Sequence, residues 1–350
     1  MTANRSKTTA PDGRGVPRLV HRRPMVSVII PMYNESGFIG PCIEGFQAQT
    51  YPPDLIEIIV VDGGSTDGCI DEVQRLVMCD PRIRLVPNPR RLAAAAANIG
   101  IESATGEVLC FLSAHGVPDP RYIEDSVDAL VDTGAVGVGG RYLHVGLDPR
   151  SRAIGLAMAS PFGMASPHRN AEHRGEVDTI SHPTFLRQAL VDVGGYDETL
   201  ARNEDYETNY RLRKAGGRLV FTPEISSVYR PRSDLRQLAK QFHAYGEGKA
   251  MVLRRHPDSV RLRHLVPPLV VAGAALSTPA LLHPIGRRVV AGAAMSYAAL
   301  LAVAARRART ADHDADRWTF VAALPVMHVA WGAGVLRGFS RALRRQPTGR

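Results

Sequence analysis

Three short stretches carry side chains able to do chemistry. In VLCFLSAHGVPDP (108–120) an apolar run enters a turn holding Ser113, His115 and, four residues later, Asp119. A buried strand ending in a polar bend is a place where ligands bind, and this bend poses the question of a metal held by an imidazole where carboxylates are usual. In VVDGGSTDG (60–68) the carboxylate of Asp62 precedes Gly-Gly-Ser-Thr, a tight turn whose side chains accept from a base or sugar and whose backbone permits close approach. Asp67, at its end, also suits the N-cap of the following helix. In RNEDYETNYRLRKAGG (202–217) a helix opens on the adjacent carboxylates Glu204 and Asp205. Acids in a first helical turn are favoured by the helix dipole, and two that perturb one another also suit proton transfer.

The elements that must position these residues alternate from residue 26. VSVIIP, IEIIVVD (56–62), IRLVP (83–87) and EVLCFL (107–112) read as buried strands. Helices are predicted over 35–48, 67–78, 92–103 and 120–132, with Asp119 as a plausible N-cap of the last. Strand–helix repeats of this length imply a doubly wound α/β sheet, in which ligands collect at the carboxyl ends of the strands. A second half follows, with strands at 135–143 and 218–222 and a helix near 203–214 ended by Gly216–Gly217. Residues 234–253 place Leu235, Leu238, Phe242 and Tyr245 at helical spacing, which suits either a core-packed helix or one in a membrane interface.

Charge divides the chain. Residues 1–24 hold six Lys/Arg against one acid, residues 251–350 fifteen against four, and the intervening body 22 against 29. An acidic body with basic ends is a poor match to a nucleic-acid-binding domain and suits a domain held at an anionic membrane surface. The first 24 residues are polar, lack an apolar core of a signal peptide and read as a disordered basic tail. Cys42, Cys69, Cys79 and Cys110 show no C-x-x-C pair, so all four read as reduced, buried thiols, which disfavours a zinc site. There is no G-x-G-x-x-G, which disfavours a dinucleotide site.

Beyond residue 264, segments 265–282, 289–305 and 318–336 carry no Asp, Glu, Lys or Arg and are flanked by arginines, as membrane spans would be. A soluble alanine-rich bundle is the alternative. Pro267, Pro268 and Pro279 make the first segment a candidate for a kinked, re-entrant or interfacial helix, so two or three spans are both open.

Taken together, VSVIIPMYNE, IEIIVVDGGSTDG, the AAAAANIGI helix, the Ser113–His115 turn and NEDYE occur in order across residues 25–250. In this the chain resembles the family 2 glycosyltransferases of GT-A nucleotide-diphospho-sugar fold, and among them the membrane-bound exopolysaccharide enzymes of succinoglycan type. The resemblance implies a catalytic domain over 25–250 and a membrane-associated region over 251–350. It implies that Pro31, Tyr33, Glu35 and Asp62 line a uridine pocket, with Ser65 and Asp67 shaping the turn beside it and Asn98 near the nucleotide and donor sugar. The family's arginine two positions before that asparagine is Ala96 here, and the null for Asn98 is a helix-surface amide. At the family's D-x-D position, Ser113 stands for the first acid and His115 for the metal ligand, with Mn2+ better suited to imidazole than Mg2+; a plain loop histidine is the alternative, and Asp119 either assists through water or caps. Asp205 aligns with the general base, beside Glu204, and is expected to be buried with a raised pKa.

On the acceptor side the resemblance points to Gln237, Gln241 and Tyr245, and to His182 either facing the cleft or structural. The Q-x-x-R-W of processive synthases is missing, which argues for addition of one sugar. The implied activity is inverting transfer from a nucleotide-diphospho-sugar, UDP first, to a lipid-linked saccharide at the cytosolic membrane face, with membrane lipid as a partner and no nucleic acid. Two rivals stand beside it: direct glycosylation of a polyprenyl phosphate, and a non-catalytic membrane-tethered binding protein.

Overall fold

The computed structural model of the chain describes residues 15–19, 22–163, 172–277 and 279–344. Most of the basic tail, residues 1–14, 20 and 21, lies outside the described residues. The chain divides into two compact units, one of Met1–Leu143 with Ser166–Tyr229, the other of His144–Ala165 with Arg230–Arg350.

The first unit is built on one mixed sheet. β1 (Val26–Met32), β2 (Ile56–Asp62) and β4 (Val108–Phe111) are buried apolar runs, whereas β3 (Ile83–Pro87), expected to be buried, buries only Ile83; β1–β2, β2–β3 and β1–β4 pair in parallel. To these are added β5 (Val117–Pro118), β6 (Gly137–His144), β7 (Gly175–Glu176), β8 (Thr184–Leu186) and β9 (Leu219–Tyr229), in the order β3-β2-β1-β4-β8-β6-β9-β5, with β7 on β9. The register opposes Met32 to Asp62 and Ile29 to Phe111, so the carboxyl ends of β1, β2 and β4 emerge side by side. β8 runs antiparallel to β4, with Cys110 opposite Thr184, which brings the residues just before β8 to the same edge.

The helices of this unit are α1 (Ile39–Gln47), α2 (Cys69–Cys79), α3 (Ala93–Ser103) and α4 (Tyr122–Thr133). α1 starts four residues later than the sequence pattern predicts, because preceding amides are held elsewhere: Ser36 N–H donates to Asp67 at 2.8 Å and Gly37 N–H to Glu72 at 3.4 Å. Asp67 is not the N-cap of α2: that position is Gly68, and Asp67, one residue before it, accepts from Cys69 N–H at 3.2 Å. Asp119 is not the N-cap of α4; that position is Arg121, whose N–H Asp119 accepts at 3.0 Å. β5 was not foreseen, and β9 runs seven residues past the predicted strand end. Cys79 is exposed, correcting its reading as buried, whereas Cys42, Cys69 and Cys110 lie in the interior; Cys79 falls on the outer face where α2 ends.

In the second unit, α5 (Pro149–Ala159) is capped by Asp148, which accepts from Arg150 and Ser151 N–H groups. α6 (Arg187–Asp192) and α7 (Glu204–Lys214) complete the first unit, and Gly216, at φ 88°, ends α7 in the left-handed conformation its Gly-Gly predicts. α8 (Leu235–Arg255) buries Leu238, Phe242, Ala250 and Leu253, so the core-packed reading of 234–253 holds. It packs on α11 (Arg317–Arg344) at Gly246 and Gly334, where a Cβ on either would strike the facing backbone. α9 (Leu262–Leu276) and α10 (Pro284–Ala311) lie between. Of the three expected spans, the first is too short: α9 stops at Leu276, with Pro267 and Pro268 inside it, and a separate 3-10 turn covers Pro279–Leu282. Pro284–Ala308 and Arg317–Arg341 are each long and apolar enough to cross a membrane.

Candidate functional site

The carboxyl edge of the parallel strands carries two turns fastened to one another. Asp62, at the end of β2, is nearly buried; its carboxylate accepts from Gly64 N–H at 2.9 Å and from the Ser65 hydroxyl at 2.6 Å. The Ser65 Oγ in turn accepts from Asn34 N–H at 2.9 Å, and Asn34 Oδ1 accepts from Thr66 N–H at 2.8 Å. Asn34 can serve both turns because it sits at φ 54°, a conformation asparagine tolerates. A hydrogen bond from the Cys69 thiol first, then those from the Ser36 and Cys69 N–H groups, hold the Asp67 carboxyl below its ordinary range. Pro31 lies on β1 opposite Val61, and the Tyr33 ring is exposed and packs beside Gly63. These contacts gather Pro31, Tyr33, Asp62, Ser65 and Asp67 at the carboxyl ends of β1 and β2. Arg91, unremarked in the sequence reading, lays its guanidinium beside Gly64.

The β4 turn stands next to it. His115 Nδ1 lies 3.2 Å from Glu35 Oε1, which ties the third turn to the first. Ser113 Oγ lies 3.1 Å from His182 Nε2, so His182 joins the donor-side turn rather than standing apart from it. Among the described residues no group of three or more His, Cys, Asp or Glu could hold a metal ion. The half-exposed pair of His115 and Glu35 therefore fits a divalent ion only where a ligand's oxygens and water complete the shell, and its mixed nitrogen and oxygen donors suit Mn2+ more than Mg2+.

Asn98 spends its amide on the fold, accepting from Tyr196 N–H at 2.8 Å and donating to Tyr196 carbonyl and Glu198. Tyr196 packs on Phe111, the last residue of β4, with ring centroids 5.6 Å apart. Burial, then the charges of Asp205 and Glu204, push the Tyr196 phenol up, which sets the carboxylate pair near the same strand end. Arg211 braces this region from α7, donating to both Glu207 oxygens and to the Val193 and Gly195 carbonyls. The expectation of a buried Asp205 is corrected: Asp205 is exposed at the start of α7. Its neighbour carries the shift instead; burial first, and Asp205 second, push Glu204 up to about 7. Successive residues of a helical turn point in different directions, so Asp205 is exposed while Glu204 is partly covered. Gln237, Gln241 and Tyr245 belong to the second unit, on α8, where Gln241 donates to the Tyr245 hydroxyl at 2.9 Å.

The residues that pattern reasoning missed are Tyr142, Tyr196, Arg211, Ser227 and Tyr229. Tyr142, Ser227 and Tyr229 sit on β6 and β9 with no motif around them and are brought here by strand pairing, whereas Tyr196 is held by Asn98 and Arg211 lies on α7 within the stretch that opens on Glu204.

Residues 27–194 match the model for Glycosyl transferase family 2. Over 313 residues the chain is 33% identical to the succinoglycan biosynthesis protein ExoA of Rhizobium meliloti, across 89% of this chain and 93% of that protein. It is 26% identical over 238 residues to a dolichyl N-acetyl-alpha-D-glucosaminyl phosphate 3-beta-D-2,3-diacetamido-2,3-dideoxy-beta-D-glucuronosyltransferase of Methanococcus voltae, across 66% and 74%. Among solved structures, the mannosyltransferase PcManGT of Pyrobaculum calidifontis, in complex with GDP-Man and Mn2+, superposes with a TM-score of 0.58 at 23% identity, covering 91% of this chain and 87% of that one. With the strand order and the turns at its carboxyl edge, these matches lead to one conclusion: the chain belongs to glycosyltransferase family 2 and has the GT-A fold.

Proposed function

We propose that the chain transfers one sugar, with inversion, from a nucleoside diphosphate sugar to a membrane-held, lipid-linked saccharide. One observation carries the reading: the register of β1, β2 and β4 sets the Asp62 turn beside the His115–Glu35 pair, a base-and-ribose pocket next to a diphosphate site. Asp62 accepts from the base, Tyr33 covers it, and Ser113 bonds the ribose. A divalent ion, Mn2+ or Mg2+, when bound by His115 and Glu35 with the diphosphate, offsets the charge of the leaving group.

Asp205 takes the proton of the acceptor hydroxyl. The oxygen so freed bonds the anomeric carbon, and the bond from that carbon to the diphosphate breaks with its electron pair on the nucleotide. Glu204, when ionised, raises the basicity of Asp205 by like-charge repulsion. The lipid-linked acceptor is supported by the two apolar helices Pro284–Ala308 and Arg317–Arg341 and by the names of two relatives, one a succinoglycan biosynthesis protein and one acting on a dolichyl-linked sugar phosphate. A catalytic unit on the cytoplasmic face, where nucleotide sugars are made, is part of the same proposal.

The test is incubation of the full chain in detergent with UDP- and GDP-sugars, Mn2+ and a lipid-linked saccharide fraction, measuring nucleotide release and label on lipid. GDP-sugars belong in the panel because the Pyrobaculum enzyme holds GDP-Man. Label on the saccharide supports the proposal. Label on bare polyprenyl phosphate would replace the acceptor, and nucleotide binding without turnover would reduce the chain to a tethered binding protein.

A further inference from the structure

The side chain least accounted for at this edge is His182. Its backbone sits at φ 45°, a left-handed conformation rare outside glycine, and the Tyr122 hydroxyl donates to its carbonyl. Both ring nitrogens are engaged: Nδ1 lies 2.9 Å from Ser227 Oγ and Nε2 3.1 Å from Ser113 Oγ. The ring is further fixed edge-on to Tyr142, with centroids 4.5 Å apart; Tyr142 stacks on Tyr229 at 5.4 Å, and Tyr229 meets the His115 ring at 6.3 Å. Ser227 reaches His182 because β5 and β9 pair, Pro118 opposite Ser227.

A serine hydroxyl can donate or accept, unlike a carboxylate, which only accepts. If Nδ1–H donates to Ser227, Nε2 is left to accept the Ser113 proton, and the Ser113 lone pairs face outward. We infer that His182 is a positioning residue that fixes the Ser113 hydroxyl as a hydrogen-bond acceptor for a ribose hydroxyl of the bound nucleotide, so that an uncharged side chain does the work of an acid. The inference rests on the nucleotide-sugar reading above. It assigns Ser227 and Tyr142 as the supports that hold the ring.

The test uses the full chain in detergent with Mn2+ and titrates UDP and GDP by calorimetry, following thermal melting of every variant. Ser113→Ala and His182→Ala should each weaken binding of the preferred nucleotide about tenfold, the size of one hydrogen bond. The double variant should be no weaker than either single one, since His182 acts only through Ser113. His182→Gln places an amide near the Nε2 position and should restore most of the affinity. His182→Asn, which tolerates the backbone conformation equally and reaches only Ser227, should not. A merely structural histidine would show the reverse order, with losses that track melting temperature. Additive losses, or affinity unchanged in His182→Ala, overturn the inference alone; absence of UDP and GDP binding by the unaltered chain overturns the functional reading and this inference with it.

Discussion

Asn98 and Tyr196 clasp one another through a reciprocal pair of hydrogen bonds. Tyr196 N–H donates to Asn98 Oδ1 at 2.8 Å, and Asn98 Nδ2 donates back to the Tyr196 carbonyl at 2.9 Å. The second amide proton goes to Glu198 at 2.8 Å, and Glu198 is itself paired with Arg90. A helix-surface amide has thus become a clamp on the turn that precedes the carboxylate pair. Asn98→Ala should leave the Tyr196 amide without its partner and cost roughly 1–3 kcal/mol of stability. A lowered melting temperature with nucleotide affinity changed less than about twofold is the expected result; a large loss of affinity at unchanged melting would instead make Asn98 a ligand contact.

Asp205 is the exposed member of the pair, and the proposed function makes it the base for the acceptor hydroxyl. Asp205→Asn should lower kcat by about 10²–10⁴, the range for loss of a general base, while UDP affinity stays within about twofold. Glu204→Gln should cost far less in kcat. If the two effects were interchanged, Glu204 would be the base.

Glu204 also makes stability depend on pH. Its folded pKa of about 7 lies above the ordinary 4.5, so across that window the folded chain binds more protons than the unfolded one. Stability therefore falls as pH rises from about 4.5 to about 7 and is level above it. Glu204→Gln removes this penalty. Its melting temperature should exceed that of the unaltered chain at about pH 8 and approach it at about pH 4.5.

How far the sequence disclosed this site follows from the range of the interactions involved. β1, β2 and β4 were readable because strands buried on both faces must be continuous apolar runs, and the residues just past them fall at the ligand edge by the geometry of parallel sheets. Helix starts were misplaced where a distant side chain took the amides: Asp67 and Glu72 hold the chain ahead of α1 from 31 to 35 residues away. The His182–Tyr142–Tyr229 wall was illegible because it depends on antiparallel pairings between β5, β6, β8 and β9, which no local period records. Likewise the inward turn of Glu204 and outward turn of Asp205 depends on what packs over α7, not on the order of the two acids.

The cysteines give a check on the first unit that needs no substrate. Burial pushes the Cys110 thiol up to about 12 and raises those of Cys42 and Cys69 as well, so none forms thiolate readily near neutral pH. Cys79 is exposed. Maleimide should therefore add once to the native chain, at Cys79, and at all four cysteines after denaturation. Rapid native labelling at Cys42 would contradict the packing of α1 against β4.

The His115–Glu35 pair predicts a metal preference that can be reversed. One imidazole and one carboxylate, 3.2 Å apart, offer a softer donor set than two carboxylates. Turnover should be lost in EDTA and return more fully with Mn2+ than with Mg2+, because Mg2+ disfavours a nitrogen ligand and demands a regular oxygen shell. His115→Asp converts the pair to oxygen donors, so the ratio of kcat/KM with Mn2+ to that with Mg2+ should fall. His115→Ala should raise the Mn2+ concentration needed for half-maximal rate and also lower that ratio, since the nitrogen donor is gone. A ratio indifferent to the residue at 115 would remove His115 from the ion and leave it as the partner of Glu35 alone, joining the first and third turns of the strand edge.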